Sequence, residues 1–128
     1  NYPSIEEFTF INPILNINVL SKYCSKKKTF FKSPNDIYVN KKKISGILQE
    51  VIIKGSKKYL IVGIGINLLS NPEIKNFPCT NIYKESRKKP KVLEIANRLV
   101  HKYEKFFSNL DLYKFLNFKL KSKKLLLN

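Results

Sequence analysis

The stretch KSPNDIYVNKKKISGILQE, residues 32–50, decides how the rest of the chain is read. It opens on Ser33-Pro34-Asn35-Asp36, a turn in which Pro presets φ and Asn and Asp bond their own backbone. Ile37-Tyr38-Val39 is a β-rich run, Asn40-Lys41-Lys42 turns the chain back, and Lys43 to Ile53 continues as a strand. Lys54-Gly55-Ser56 is a second turn. Lys58 to Leu68 is a third strand whose centre, YLIVGIGI, is apolar at nearly every position. Such a run fits a strand buried on both faces. A β-meander therefore fills the middle of the chain, with the strands near Ile37, Ile47 and Val62 expected to be neighbours.

On the N-terminal side, Thr29 to Lys32 reads as a short strand and Ser25 to Lys28 as a solvated turn. Asn12-Pro13 reads as a helix start, with Asn capping and Pro at the first helical position. The apolar positions Ile14, Ile17, Val19, Leu20 and Tyr23 carry that helix to about Cys24, and Phe8 to Ile11 before it reads as a short strand. On the C-terminal side, Leu69 to Arg87 is loop-like. Lys91 to Phe107 has helical spacing through Val92, Ile95, Ala96, Leu99, Tyr103 and Phe106, and another helix follows Asp111. Strand and helix, then a meander, then helices is an α+β order, predicted here as a mixed β-sheet with helices on one face.

The chain has 128 residues, enough for one domain with a real core, and 43% of them are hydrophobic. No run approaches the ~20 apolar residues of a membrane span, and no signal-peptide pattern opens the chain. Cys24 and Cys79 show no metal-type or redox-type spacing and read as reduced, partly buried thiols of a cytoplasmic protein. The net charge of +16 suggests nucleic acid, but of 25 basic residues only Arg87 and Arg98 are arginine, the better reader of phosphate and base edges. Tyr38 and Tyr59 are the only aromatic residues in the meander, so arginine and aromatic side chains are not interleaved as a nucleic-acid-binding module needs. The lysine excess reads as general solvation.

Candidate chemistry gathers in the meander. Asp36 is open to two readings, a ligand of Mg²⁺, which takes one or two carboxylates plus substrate phosphates, or a turn aspartate capping backbone. Lys43, across the predicted turn, either projects a fixed charge into a cleft or is one more exposed lysine, as Lys41 and Lys42 are taken to be. Gly46, Gly63 and Gly65 sit inside strand patterns, where glycine weakens a strand and marks close approach of a ligand, a packing contact or a bulge. Gly63 and Gly65 alternate, so they face one side. Asn67 either closes the third strand or offers its amide to a ligand. His101, in a lysine-rich helical segment, has a surface reading.

Three ordered motifs, Lys32-Ser33-Pro34-Asn35-Asp36, Lys43-Ile44-Ser45-Gly46-Ile47-Leu48 and Gly63-Ile64-Gly65-Ile66-Asn67, make the chain resemble biotin protein ligase over roughly Phe8 to Leu120. The resemblance implies a biotin–lipoate ligase fold, similar to class II aminoacyl-tRNA synthetases. It also implies that biotin and ATP with Mg²⁺ form biotinyl-5′-AMP, and that biotin then passes to a lysine of the biotin carboxyl carrier protein of acetyl-CoA carboxylase. Carried over, Lys43 resembles the lysine at biotin's carboxyl and the α-phosphate. Asp36 is similar to the aspartate near metal and phosphates, Gly46, Gly63 and Gly65 to glycines walling the biotin site, and Asn35 and Asn67 to positions near the nucleotide.

The resemblance also has gaps. Ser33 stands where the family usually has tryptophan. The family's glycine- and arginine-rich loop, its earlier biotin-ring motif and its small C-terminal β-domain have no counterpart here. Residues 1–128 thus read as part of a catalytic domain, and the isolated chain as a poor enzyme with open sheet edges that favour dimers. A lipoate-type ligase, an inactive remnant and a basic nucleic-acid-binding module are the alternatives.

Overall fold

A computed structural model describes residues 2–126. Helix α1 (Phe8–Leu20) leads through a 3-10 turn at Lys26–Lys28 to four strands, β1 (Thr29–Lys32), β2 (Asp36–Val39), β3 (Lys42–Lys54) and β4 (Lys57–Ile66). Helices α2 (Ile82–Ser86), α3 (Val92–Ser108) and α4 (Phe115–Leu125) follow, with a 3-10 turn at Leu110–Leu112. The strands form one sheet in the order β1-β2-β3-β4, every pair antiparallel. The parallel component of the expected mixed sheet is confined to isolated bridges, Phe31 with Leu126 and Lys43 with Cys79.

The hairpins form where the sequence turns most sharply. Asn40 and Lys41 both take positive φ, 53° and 62°, the two-residue geometry whose twist matches the flanking strands. Gly55, at φ 65°, opens the β3–β4 turn at no steric cost. One face of the sheet carries the core, in which Ile37, Val39, Ile44 and Ile47 pack with Ile17, Val19 and Leu20 of α1, Ile82 of α2 and Ile95 of α3. A second cluster joins Phe8, Ile11 and Leu15 to Phe106, whose ring lies edge-on to Tyr113 and Phe118 at 5.5 and 5.6 Å. A polar network crosses the interior between α1, α3 and β3. The Tyr103 hydroxyl donates to Asn12 Oδ1 at 2.8 Å, and Asn12 Nδ2 donates to Gln49 Oε1 at 3.0 Å.

Three expectations need correction. Phe8 to Ile11 is the first turn of α1 and not a strand, and Asn12-Pro13 lies inside the helix. The turn that leads into the helix begins at Ser4, whose Oγ accepts from the Glu7 N–H at 3.3 Å, while Glu7 at the helix start makes no side-chain cap. Second, β4 is not buried on both faces. It is the edge of the sheet, and Tyr59, Ile61, Gly63 and Gly65 on one face are exposed. Its apolar run satisfies the two-face pattern, but among the described residues neither a further strand on its outer side nor a second helical layer covers it. Third, the loop after β4 contains α2, where Asn81 caps the helix by accepting from Lys84 N at 2.8 Å. The helices predicted over Lys91–Phe107 and after Asp111 appear as α3 and α4.

Candidate functional site

The site begins with an irregularity. Between β2 and β3, Asp36 is opposite Gly46 and Ile37 opposite Ser45, but Tyr38 is opposite Lys43, so Ile44 is an extra residue in the ladder. Both Ile44 and Ser45 are consequently buried, two in a row. A regular strand would place Lys43 and Gly46, three residues apart, on opposite faces. The bulge brings them onto the same face, the way bulges re-aim side chains. A Cβ built on Gly46 would lie 3.8 Å from Lys43 Nζ and 3.7 Å from Asp36 Oδ1.

Lys43 and Asp36 form an ion pair at 3.1 Å, both partly exposed. The Lys43 backbone is held on its far side as well: its N–H donates to Pro78 C=O at 2.9 Å and its C=O accepts from Thr80 N–H at 2.8 Å. The ammonium thus rises from a strand fixed along both edges, whereas Lys41 lies in the hairpin turn. Asn67 closes the same corner. Its N–H donates to Ile44 C=O at 2.9 Å, and its side-chain amide donates to Thr80 C=O at 3.0 Å. Ser45 Oγ donates to Gly65 C=O at 2.7 Å, pinning β3 to β4 at the bulge. The Asn35 side chain is on the exposed turn after a cis Ser33–Pro34 bond, and the Asn35 C=O accepts from Ile47 N–H at 2.8 Å.

Beside the ion pair the sheet has a bare floor. Gly46 pairs with Gly65, and Leu48 with Gly63, all on the face away from the helices. None of the three glycines has a positive φ, and added Cβ atoms would meet nothing closer than 3.7 Å. The fold therefore requires glycine at none of these positions, and glycine there lowers strand stability. A missing layer of side chains does suit a ligand lying flat against the backbone. The floor is open above, with Leu48 71% exposed at its end. The structure thus brings Asp36, Lys43, Gly46, Gly63 and Gly65 onto one face with Asn67 at its corner, while Asn35 sits on the adjoining turn. Among the described residues no cluster of three or more His, Cys, Asp or Glu side chains could hold a metal, and Asp36 stands as a single carboxylate beside Lys43. The bulge was invisible in the sequence, because no residue pattern marks an inserted ladder position, and so were the bonds joining Lys43 to Pro78 and Thr80 and Ser45 to Gly65, which connect residues far apart in the chain.

Known proteins share this fold. Residues 9–67 match the Biotin/lipoate A/B protein ligase family. The fold is that of the biotin and lipoate ligases. The apo biotin protein ligase from Aquifex aeolicus superposes with a TM-score of 0.70 at 27% identity, over 96% of this chain and 56% of that one. The biotin protein ligase from Leishmania major in complex with biotin gives 0.80 at 22% identity, over 97% and 55%. P. falciparum LipL1 in complex with lipoate gives 0.54 at 18% identity, over 89% and 34%. The chain spans about half the length of the biotin ligases it matches. No helix of the described residues is long and apolar enough to cross a membrane.

Proposed function

We propose that the protein is the part of a biotin protein ligase that holds the biotin carboxylate and the reacting phosphate, in a reaction joining biotin to a lysine of the biotin carboxyl carrier protein by way of biotinyl-5′-AMP. The observation that carries this reading is the glycine floor ending at the Lys43–Asp36 pair. A thin bicyclic ring can lie on Gly46, Gly63 and Gly65 with its acid tail reaching the ammonium.

The reaction joins two anions. A biotin carboxylate oxygen attacks the α-phosphorus of ATP, and pyrophosphate leaves. The amine of the acceptor lysine then attacks the acyl carbon, and AMP leaves. Lys43 offsets the repulsion between carboxylate and phosphate and stabilises the charge that grows at phosphorus. Its fixed backbone keeps that charge in place without reorganisation. Asp36 suits Mg²⁺ arriving with the nucleotide, since that ion takes one or two protein carboxylates and completes its shell with phosphates and water. When bound, Mg²⁺ supplies charge neutralisation at the phosphates. Asn35 on its turn and Asn67 at the corner flank the nucleotide.

Pyrophosphate release by the complete protein, with MgATP and either biotin or lipoate, tests this. Release that needs biotin is expected. Release with lipoate but not biotin would move the protein to the lipoate branch, and release with neither would end the reading.

A further inference from the structure

The Glu85 carboxylate of α2 gives both its oxygens to neutral partners. Its Oε1 accepts from Asn40 Nδ2 at 2.6 Å, and its Oε2 accepts from the Thr80 hydroxyl. The chain has 25 basic residues, yet the ion pairs among the described residues are Lys43–Asp36 and Arg98–Glu94, and Glu85 is in neither. Its two partners flank Lys43. Asn40 stands in the β2–β3 hairpin turn just before Lys43 and takes a positive φ of 53°. Thr80 is fully buried beside Lys43. Its N–H donates to Lys43 C=O at 2.8 Å, and its C=O accepts from the Asn67 side-chain amide at 3.0 Å.

This support matters because of where β4 stops. The β3–β4 ladder begins at Ser45, paired with Ile66. At Lys43 that edge of β3 is held instead by the bonds to Pro78 and Thr80, from a segment that belongs to no strand. Two bonds to a loop fix a residue less firmly than a ladder does. Glu85 ties that loop to the hairpin turn and closes a ring, Asn40 to Glu85 to Thr80 to Lys43, around the base of the lysine.

We infer that Glu85 is a positioning residue for Lys43, whose ammonium it fixes in place by closing this ring. The inference takes from the ligase reading only the reaction in which Lys43 acts. Hydrogen bonds to a carboxylate are charge-assisted and stronger than neutral ones. Glutamine can still make both, its carbonyl accepting from Asn40 and its amide donating to the Thr80 hydroxyl, whereas alanine makes neither. A displaced ammonium still attracts a carboxylate, but charge growing at phosphorus is stabilised only by a donor in the right place. Loss of the tie should therefore fall on kcat and not on KM.

Amide exchange and pyrophosphate release in the complete protein test this. In Glu85→Ala the Lys43 and Thr80 amides should exchange at least about 10-fold faster, with the Gly63 amide of the sheet unchanged. Adenylate formation from biotin and MgATP should fall about 10-fold in kcat, with KM for biotin within about 3-fold. Glu85→Gln should bring exchange and kcat back to within about 3-fold of wild type. On a Lys43→Ala background, Glu85→Ala should cost less than about 2-fold more, because no ammonium is left to position. Should Glu85→Ala also speed the Gly63 amide, Thr80→Val takes its place under the same expectations, since it removes the hydroxyl and keeps the backbone bonds.

Unchanged Lys43 and Thr80 amides in Glu85→Ala would overturn the inference whatever the activity. So would fast amides with an unchanged kcat, or an undiminished loss on the Lys43→Ala background. A glutamine variant as slow as the alanine one would give Glu85 a role through its charge and overturn it too. Wild-type protein that releases no pyrophosphate with biotin would end the ligase reading alone, and the exchange result would still decide whether Glu85 holds Lys43.

Discussion

Lys43 differs from Lys41 and Lys42 in what holds it. Its strand is bonded to β2 on one side and to the Pro78–Thr80 segment on the other, and its ammonium is 3.1 Å from Asp36. A donor held that way is typically worth about 3 kcal/mol at a developing charge, so Lys43→Ala should slow adenylate formation in the complete protein by about 10²-fold. Lys41→Ala should change it less than about 3-fold, since exposed lysines contribute little. Equal losses at both, in a pyrophosphate assay, would mean that diffuse positive charge is responsible. Gly65 offers the opposite separation. Its Cβ would come no closer than 4.0 Å to Gly46 C=O, so Gly65→Ala should leave the fold as stable or up to about 1 kcal/mol more stable by denaturant titration. The same methyl would stand on the floor and obstruct a flat ligand, so calorimetry with biotin should show binding lost. Unchanged binding would remove the floor from the site. Both residues were legible in the sequence as types at suggestive positions. Their meeting on one face was implied only by the family resemblance, because local pattern does not show the inserted Ile44 on which it depends.

At the scale of elements, legibility follows how local each signal is. The two hairpins and the helix α3 were readable because turn residues and a 3.6-residue period are properties of neighbouring positions. The start of α1 was misread because Asn-Pro is a strong local start signal, yet here it lies inside the helix, where the Asn12 side chain bonds Gln49 and Tyr103 and caps nothing. The exposure of β4 was misread because an apolar run does not say what lies beyond it. Packing of α1 and α3 also sets a pH dependence. Burial raises the Tyr103 hydroxyl from 10.0 to about 12. It likewise raises the Cys24 thiol from 9.0 to about 11, helped by the Glu85 charge. Both groups stay neutral in the fold at pH values where the unfolded chain ionises. Their contribution is therefore complete below about pH 9 and is lost as pH rises through about 11 and 12. Denaturant midpoints should fall across that window. Tyr103→Phe should flatten the upper part while costing about 1 kcal/mol at pH 7 through the lost bond to Asn12. A wild-type midpoint constant to pH 12 would contradict it.

At the scale of the whole molecule, one surface of the sheet decides how a ligand could be held. The glycine floor, the Lys43 charge and the Asp36 carboxylate all lie on one surface, with Leu48 and Gly63 open to solvent above them. Complete small-molecule sites bury roughly 70–90% of a ligand, and a single floor covers one side of it. The side left wet also exposes any acyl-adenylate to water, which competes with the acceptor amine. The isolated chain should therefore bind biotin in the presence of MgATP with a dissociation constant in the millimolar range or weaker, a binding free energy no more favourable than about −4 kcal/mol. Lys43→Ala should weaken it further, since the carboxylate then has no partner on the floor. Titration calorimetry on the 128 residues alone measures this directly. Micromolar binding would mean that the floor and one lysine hold biotin without further walls, and the rest of a ligase would then be needed only to deliver the nucleotide and shield the adenylate.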